Sequence, residues 1–255
     1  MRTVEVLPDS ARLARAGAEH FVALATGAIA TRGRFAVALS GGETPRRMHA
    51  ELSRAPFLDQ VDWPRVHVFW GDERCVPPEH PDSNYRMARE TLLDRVPLPA
   101  ANIHRIRGEI APQQAAAEYE QELRAFFAGS AGRAPSGDTG EPPRFDLILL
   151  GLGEDGHTAS LFPRTPALRE RRRWVVAQHV SKLDAWRITL TLPVINAAAD
   201  VIFLVSGAKK AETLQRVLAD AAPADADELP ARMVAPTAGR VAWLVDAAAA
   251  ALLRD

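Results

Sequence analysis

Apolar residues recur along the chain in blocks of five or six, and between the blocks they recur at helical intervals. The blocks rich in Val, Ile, Leu and Phe predict strands over 3–7, 35–39, 66–70, 145–150, 174–179, 187–192, 201–205 and 241–245. Helical spacing predicts a helix from Asp9 to about Thr31, with Asp9 or Ser10 capping its first turn. Further helices are predicted over 45–53, 83–96, 111–128, 193–199, 209–219 and 247–253. Strands alternating with helices in this way predict an α/β protein: a largely parallel sheet with helices on both faces. Ligands of such sheets sit in the crevice outside the carboxyl ends of the strands, so a polar cluster just after a strand carries extra weight.

One stretch breaks the pattern. Residues 129–143 read GSAGRAPSGDTGEPP, and nine of these 15 are Gly, Ser or Pro. Because the strand–loop pattern is alike on both sides, we expect a flexible surface loop within a single domain spanning 1–255. A chain of 255 residues is long enough for one large α/β core. Its 31 basic and 32 acidic side chains leave a net charge of −1, against a protein that coats nucleic acid. No apolar run reaches the roughly 18 residues of a membrane span, and the N-terminus lacks a signal-like apolar core, so a cytoplasmic location is expected. Cys75 is the only cysteine, which excludes an internal disulfide and a Cys-rich metal site. Of the basic residues 28 are Arg and three are Lys, so an Arg-rich run such as 169–173 reads as a solvated turn before it reads as a nucleic-acid patch.

Three clusters follow predicted strands. After 35–39 comes Ser40–Gly41–Gly42–Glu43–Thr44–Pro45, with Pro45 expected at the first helical position. Its glycines allow close backbone approach, and its hydroxyls and free N–H groups suit an anion; it is also compatible with an ordinary tight turn. It matches neither a Walker A loop nor a dinucleotide fingerprint. After 66–70 comes Gly71–Asp72–Glu73–Arg74, then Asp82–Ser83–Asn84, which either bind a polar substrate or pair with one another and cap a helix. After 145–150 comes Gly151–Leu152–Gly153–Glu154–Asp155–Gly156–His157. An imidazole with a carboxylate two residues away has the makings of a general base working near neutral pH. No second histidine stands at zinc-type spacing, so no metal ligand set is expected. Arg187 and Lys209 are boundary charges that by themselves read as solvated.

Together the Ser-Gly-Gly-x-Thr-Pro, Trp-Gly-Asp-Glu-Arg…Asp-Ser-Asn and Gly-x-Gly-x-Asp-Gly-His-Thr-Ala-Ser-Leu-Phe-Pro motifs, at 40–45, 70–84 and 151–163, resemble the 6-phosphogluconolactonase family over nearly the whole chain. The resemblance implies a Rossmann-like three-layer sandwich shared with glucosamine-6-phosphate deaminases. It also implies hydrolysis of 6-phospho-D-glucono-1,5-lactone in the oxidative pentose phosphate pathway, without metal or organic cofactor. By that resemblance Ser40, Gly41, Gly42 and Thr44 cradle the phosphate, Arg187 and Lys209 supply phosphate-binding cations, and Asp72 lies at the substrate. His157 is the base with Asp155 beside it, and Arg74 faces the sugar or the lactone carbonyl. The chain carries Arg74 where the deaminases have Tyr, and Ser160–Leu161–Phe162–Pro163 where they have an Asn-Glu-Pro ending. That favours the lactonase over a deaminase-like isomerase or a non-catalytic sugar-phosphate sensor. Asp72 or Glu73 stays open as an alternative base, and a Cys75 nucleophile is not required. The expected partner is a small sugar-phosphate lactone, with no nucleic acid or membrane, acting on a monomer or small homo-oligomer.

Overall fold

A computed structural model describes residues 2–128, 141–219 and 227–253. Residues 129–140 of the expected surface loop lie outside this set. In chain order the elements are β1 (Arg2–Leu7), α1 (Ser10–Arg32), β2 (Phe35–Leu39), α2 (Glu43–Leu52), β3 (Val66–Trp70), β4 (Asp72–Arg74), α3 (Asn84–Thr91), α4 (Pro112–Ala128), β5 (Leu147–Leu150), β6 (Val175–Val180), β7 (Ala185–Leu190), α5 (Leu192–Ala197), β8 (Asp200–Val205), α6 (Ala211–Leu218) and β9 (Arg240–Asp246).

Six strands form one sheet in the order β1-β9-β8-β5-β2-β3, every pair parallel, within a three-layer α/β arrangement. Parallel central strands are covered on both faces, and FAVAL of β2 and LILL of β5 are buried at every position, which is why they are unbroken apolar runs. Helix α1 begins where the Asp9 carboxylate accepts from the N–H groups of Ala11 and Arg12, and it ends at Gly33 in the left-handed region. Its buried stripe includes Leu13, Phe21 and Ala25, and it packs on β2, β9 and α2.

The expected single sheet is incomplete in one respect. Residues 174–179 and 187–192 do form strands, shifted slightly, but in a separate antiparallel sheet of order β4-β7-β6. The turn between β6 and β7 is only four residues, too short for a parallel crossover, so the pair closes as a hairpin. The Asp72–Arg74 strand escapes a hydrophobicity reading because it is wholly charged. Three helix expectations also change. Residues 247–253 form successive turns, with Asp246 accepting from the N–H of Ala249. The helix expected over 83–96 stops at Thr91, and that over 209–219 starts at Ala211 after a 3-10 turn. Pro45 is the third helical residue, since α2 starts at Glu43 behind Gly42.

Candidate active site

In the order β8-β5-β2-β3 the chain direction through the sheet reverses between β5 and β2. Loops leaving these two neighbours therefore part company, opening the crevice in which α/β sheets bind ligands. The loops are 40–42 and 151–158, from the first and third of the sequence motifs.

The 40–42 loop enters α2 with no side chain capping its N-terminus, so the first N–H groups of that helix remain free for an anion. The Ser40 hydroxyl is buried and has no hydrogen-bond partner among the described residues. Gly41 is dictated by packing: a Cβ there would stand 1.8 Å from Asn84 Oδ1. Asn84 in turn donates to the backbone oxygen of Asp72 at 2.9 Å, joining this loop to β4. Beside the loop lies a cavity of about 180 Å³ reached by Gly42, Arg46, Arg74, Asp82 and Asn84. Thr44 is half-buried in the first turn of α2.

In β4 the three charged residues have separate tasks. Glu73 is buried and accepts from the N–H groups of Arg74, Asn84 and Tyr85 and from the Ser83 hydroxyl. Burial pushes its pKa up while those bonds oppose the shift. With its oxygens committed to the start of α3, Glu73 does not suit the role of base. Asp72 is buried and accepts from Ser160 Oγ at 2.6 Å, which ties β4 to the loop after β5. Arg74 donates from Nη1 to Asp82 O at 2.5 Å and stands directly across from Arg187 of β7. Opposed like charges destabilise a strand pair. Burial, then the Arg74 charge, lowers the Arg187 pKa, while Asp72 opposes.

The Gly-rich turn holds the third component. The His157 Nδ1 lies 2.5 Å from Asp155 Oδ1, which also accepts from the His157 N–H. Because the carboxylate only accepts, the neutral ring carries its proton on Nδ1 and leaves the Nε2 lone pair free. Gly153 is required here, since a Cβ would lie 2.0 Å from His157 Nδ1. The imidazole stacks on Phe162 with centroids 4.3 Å apart. Burial lowers its pKa to about 4; the Asp72 charge opposes, and Lys210, Arg74 and Arg187 reinforce. The ring is therefore neutral near neutral pH, because burial and three cations all disfavour the imidazolium.

Lys209 is exposed in the 3-10 turn Ala208–Lys210, whereas its half-buried neighbour Lys210 is the lysine whose charge is felt at His157. Arg46, Lys210 and Lys182 were not found from sequence. Lys210 is one position from the residue singled out, and Arg46 is one position past the Ser-Gly-Gly-x-Thr-Pro motif. Lys182, in a turn of the hairpin, offered no signal. Cys75 is half-buried with its thiol pushed up to about 11 by burial, which argues against a nucleophile. Among the described residues no group of three or more His, Cys, Asp or Glu could hold a metal ion, and no helix is long and apolar enough to cross a membrane.

The family model described as glucosamine-6-phosphate isomerases/6-phosphogluconolactonase matches residues 8–243. The chain belongs to that family. A 6-phosphogluconolactonase of Nostoc sp. is 45% identical over 255 residues, covering 99% of this chain and 98% of that protein. One from Synechocystis sp. is 47% identical over 230 residues, covering 90% and 89%. The solved 6-phosphogluconolactonase from Trypanosoma cruzi superposes with a TM-score of 0.85 at 28% identity, covering 100% of this chain and 98% of the other. The Nostoc match spans nearly the full length of both chains, and the Trypanosoma cruzi structure shares the fold.

Proposed function

We propose that this site hydrolyses 6-phospho-D-glucono-1,5-lactone to 6-phospho-D-gluconate, the second step of the oxidative pentose phosphate pathway, with His157 as the base. The activity rests on the full-length likeness to relatives of that name. The residue roles rest on one observation above all: a neutral imidazole fixed by Asp155 through Nδ1, with Nε2 unbonded among the described residues. A lactone is an activated ester, so its hydrolysis needs a placed water, a base and a partner for the oxyanion.

Nε2 of His157 takes a proton from water as the oxygen attacks C1. The Asp155 carboxylate favours the imidazolium that forms, offsetting the burial that keeps the resting ring neutral. The carbonyl oxygen gains negative charge near Arg74 or a backbone N–H of 151–156. The tetrahedral intermediate then expels the ring oxygen, which takes its proton from His157. The ring opens to the acid and the imidazole returns to its neutral state. Ser40, Gly41, Gly42 and Thr44 with the free N–H groups of α2 hold the phosphate; Arg187, Lys209 and the adjoining Arg46 and Lys210 supply positive charge. Anchoring the phosphate holds C1 in register with the base. Asp72, bonded to Ser160, keeps the two loops together beside the sugar.

The direct test adds purified protein to freshly generated lactone and follows acid release above the spontaneous rate, with glucosamine 6-phosphate and ammonia detection in parallel. Acid release from the phosphorylated lactone is expected. Its absence, or ammonia release from the amino sugar, overturns the reading.

A further inference from the structure

The chain uses Arg for 28 of its 31 basic side chains, yet two of its three lysines pair with carboxylates of the single turn that carries His157. Lys210 Nζ lies 3.9 Å from Glu154 Oε1, and Lys182 forms an ion pair with Asp155 Oδ2. Lys182 comes from the turn Ser181–Leu183 between β6 and β7, which belongs to the other sheet. Its ammonium also lies 4.9 Å from the centre of the Phe162 ring, the ring on which His157 stacks. Thus Lys182 meets both neighbours of the imidazole: the carboxylate on its Nδ1 and the aromatic ring on its face. An exposed ion pair usually contributes little to stability. Here both partners of the lysine are partners of the proposed base, so the consequence falls on chemistry.

We propose that Lys182 is a positioning residue that holds Asp155 against His157 and shields the imidazole from the full carboxylate charge. The inference rests on His157 being the base only in its effect on rate. With one Asp155 oxygen engaged by the ammonium, the other is presented to Nδ1–H, and the ring keeps the tautomer that leaves Nε2 free. The ammonium also offsets part of the negative charge that would otherwise favour the imidazolium. The remaining charges facing the ring are Asp72 and Arg74 of β4, Arg187 of β7 and Lys210 before α6, with Glu154 paired to Lys210. None of these takes the place of Lys182 at Asp155 Oδ2 among the described residues.

The test uses Lys182→Met, which keeps length and apolar stem, and Lys182→Arg, which keeps charge. The His157 imidazole is titrated by NMR without substrate, and kcat/KM is followed against pH. In Lys182→Met the uncompensated carboxylate should move the His157 ionisation up by about 0.5–1 pH unit, and the acid limb of kcat/KM with it. At neutral pH kcat should fall a few-fold with KM little changed, and Lys182→Arg should restore both the ionisation and the limb. Should Lys182→Met fail to fold, Lys182→Gln carries the same measurement. An unchanged or lowered His157 ionisation in the charge-removing variant overturns the proposal, whatever happens to the rate. A raised ionisation with an unmoved acid limb upholds the role of Lys182 and overturns His157 as base.

Discussion

Of the histidine–carboxylate pairs among the described residues the two shortest differ in kind, and only one has the makings of a reactive centre. At the site, His157 Nδ1 meets Asp155 at 2.5 Å. Near the start of β3, His67 Nδ1 lies 3.2 Å from His104 Nε2, and His104 Nδ1 lies 2.7 Å from Glu122 Oε1. The His104 ring stacks on Phe69 with centroids 4.2 Å apart. Burial lowers the pKa of His67 to about 4, the same value reached by His157, so a displaced ionisation does not separate the two. The bonding does. Glu122 fixes His104 as a donor through Nδ1, and its Nε2 accepts from His67, leaving the central imidazole no lone pair to spend. The cluster also sits at the amino end of its strand, away from the crevice, where no loop motif delivers a substrate. A base needs an idle nitrogen aimed at a place a substrate can occupy.

The widest contrast comes from replacing each histidine in turn. His157→Gln should lower kcat by roughly 10²–10⁴-fold with little change in KM, measured after subtracting spontaneous hydrolysis. His104→Gln should keep kcat within a few-fold of wild type and instead lower Tm by several degrees, as one buried hydrogen-bond chain is lost. If His104→Gln abolishes turnover in folded protein, the distinction between the clusters fails.

Next in size are the cations that surround only the first cluster. Truncating Arg187 to Ala should cost about 2–3 kcal/mol in kcat/KM, some 30- to 150-fold, mostly through KM, with weaker preference for the phosphorylated lactone. Arg34, whose charge is felt at His67 and which lies 4.0 Å from the Phe126 ring centre, should tolerate replacement by Gln with kinetics unchanged. Equal kinetic losses at both positions would show that net charge, not placement, sets affinity.

A smaller effect separates the clusters by pH. His67 is neutral in the fold down to about pH 4 but protonates near 6.5 when unfolded, so the unfolded state binds more protons in between. Stability is therefore complete above pH 6.5 and declines as the pH falls toward 4. His67→Gln should flatten that decline by a few degrees of Tm without moving the acid limb of kcat/KM. In wild type the limb itself should lie near pH 4 and disappear in His157→Gln. A limb near 6.5 would mean the working imidazole is less buried than the fold places it. The smallest expected effect is none at all: prolonged chelation should leave activity intact, and restoration of lost turnover by added zinc or magnesium would break the metal-free mechanism.

The strand-ending motifs were readable because parallel strands are apolar throughout, so Gly-rich polar loops stand out sharply after Leu39 and Leu150. Periodicity could not reveal that β6 and β7 leave the main sheet, since a half-buried antiparallel strand and a parallel one share the same apolar residues. It also could not reveal Asp72–Arg74, whose strand character comes wholly from pairing with β7. Within the site, the difficulty was reach. Lys182 is 27 positions from Asp155, and only the folded hairpin brings them together. Glu73 was legible as polar but not as a helix anchor, because three of its four donors are set by the return of the chain at α3.

The opposition of Arg74 and Arg187 would tie occupancy of the proposed site to the stability of the fold. Two guanidinium groups held across a strand pair repel each other when the crevice is empty, and any bound anion relieves that repulsion in the folded chain alone. Occupancy then adds RT ln(1 + [L]/Kd) to the folding free energy, about 2.7 kcal/mol at a hundredfold excess over Kd. Protein with an anion seated there should resist heat and proteolysis longer than protein without one. The occupancy that precedes turnover would then also lengthen the life of the catalyst.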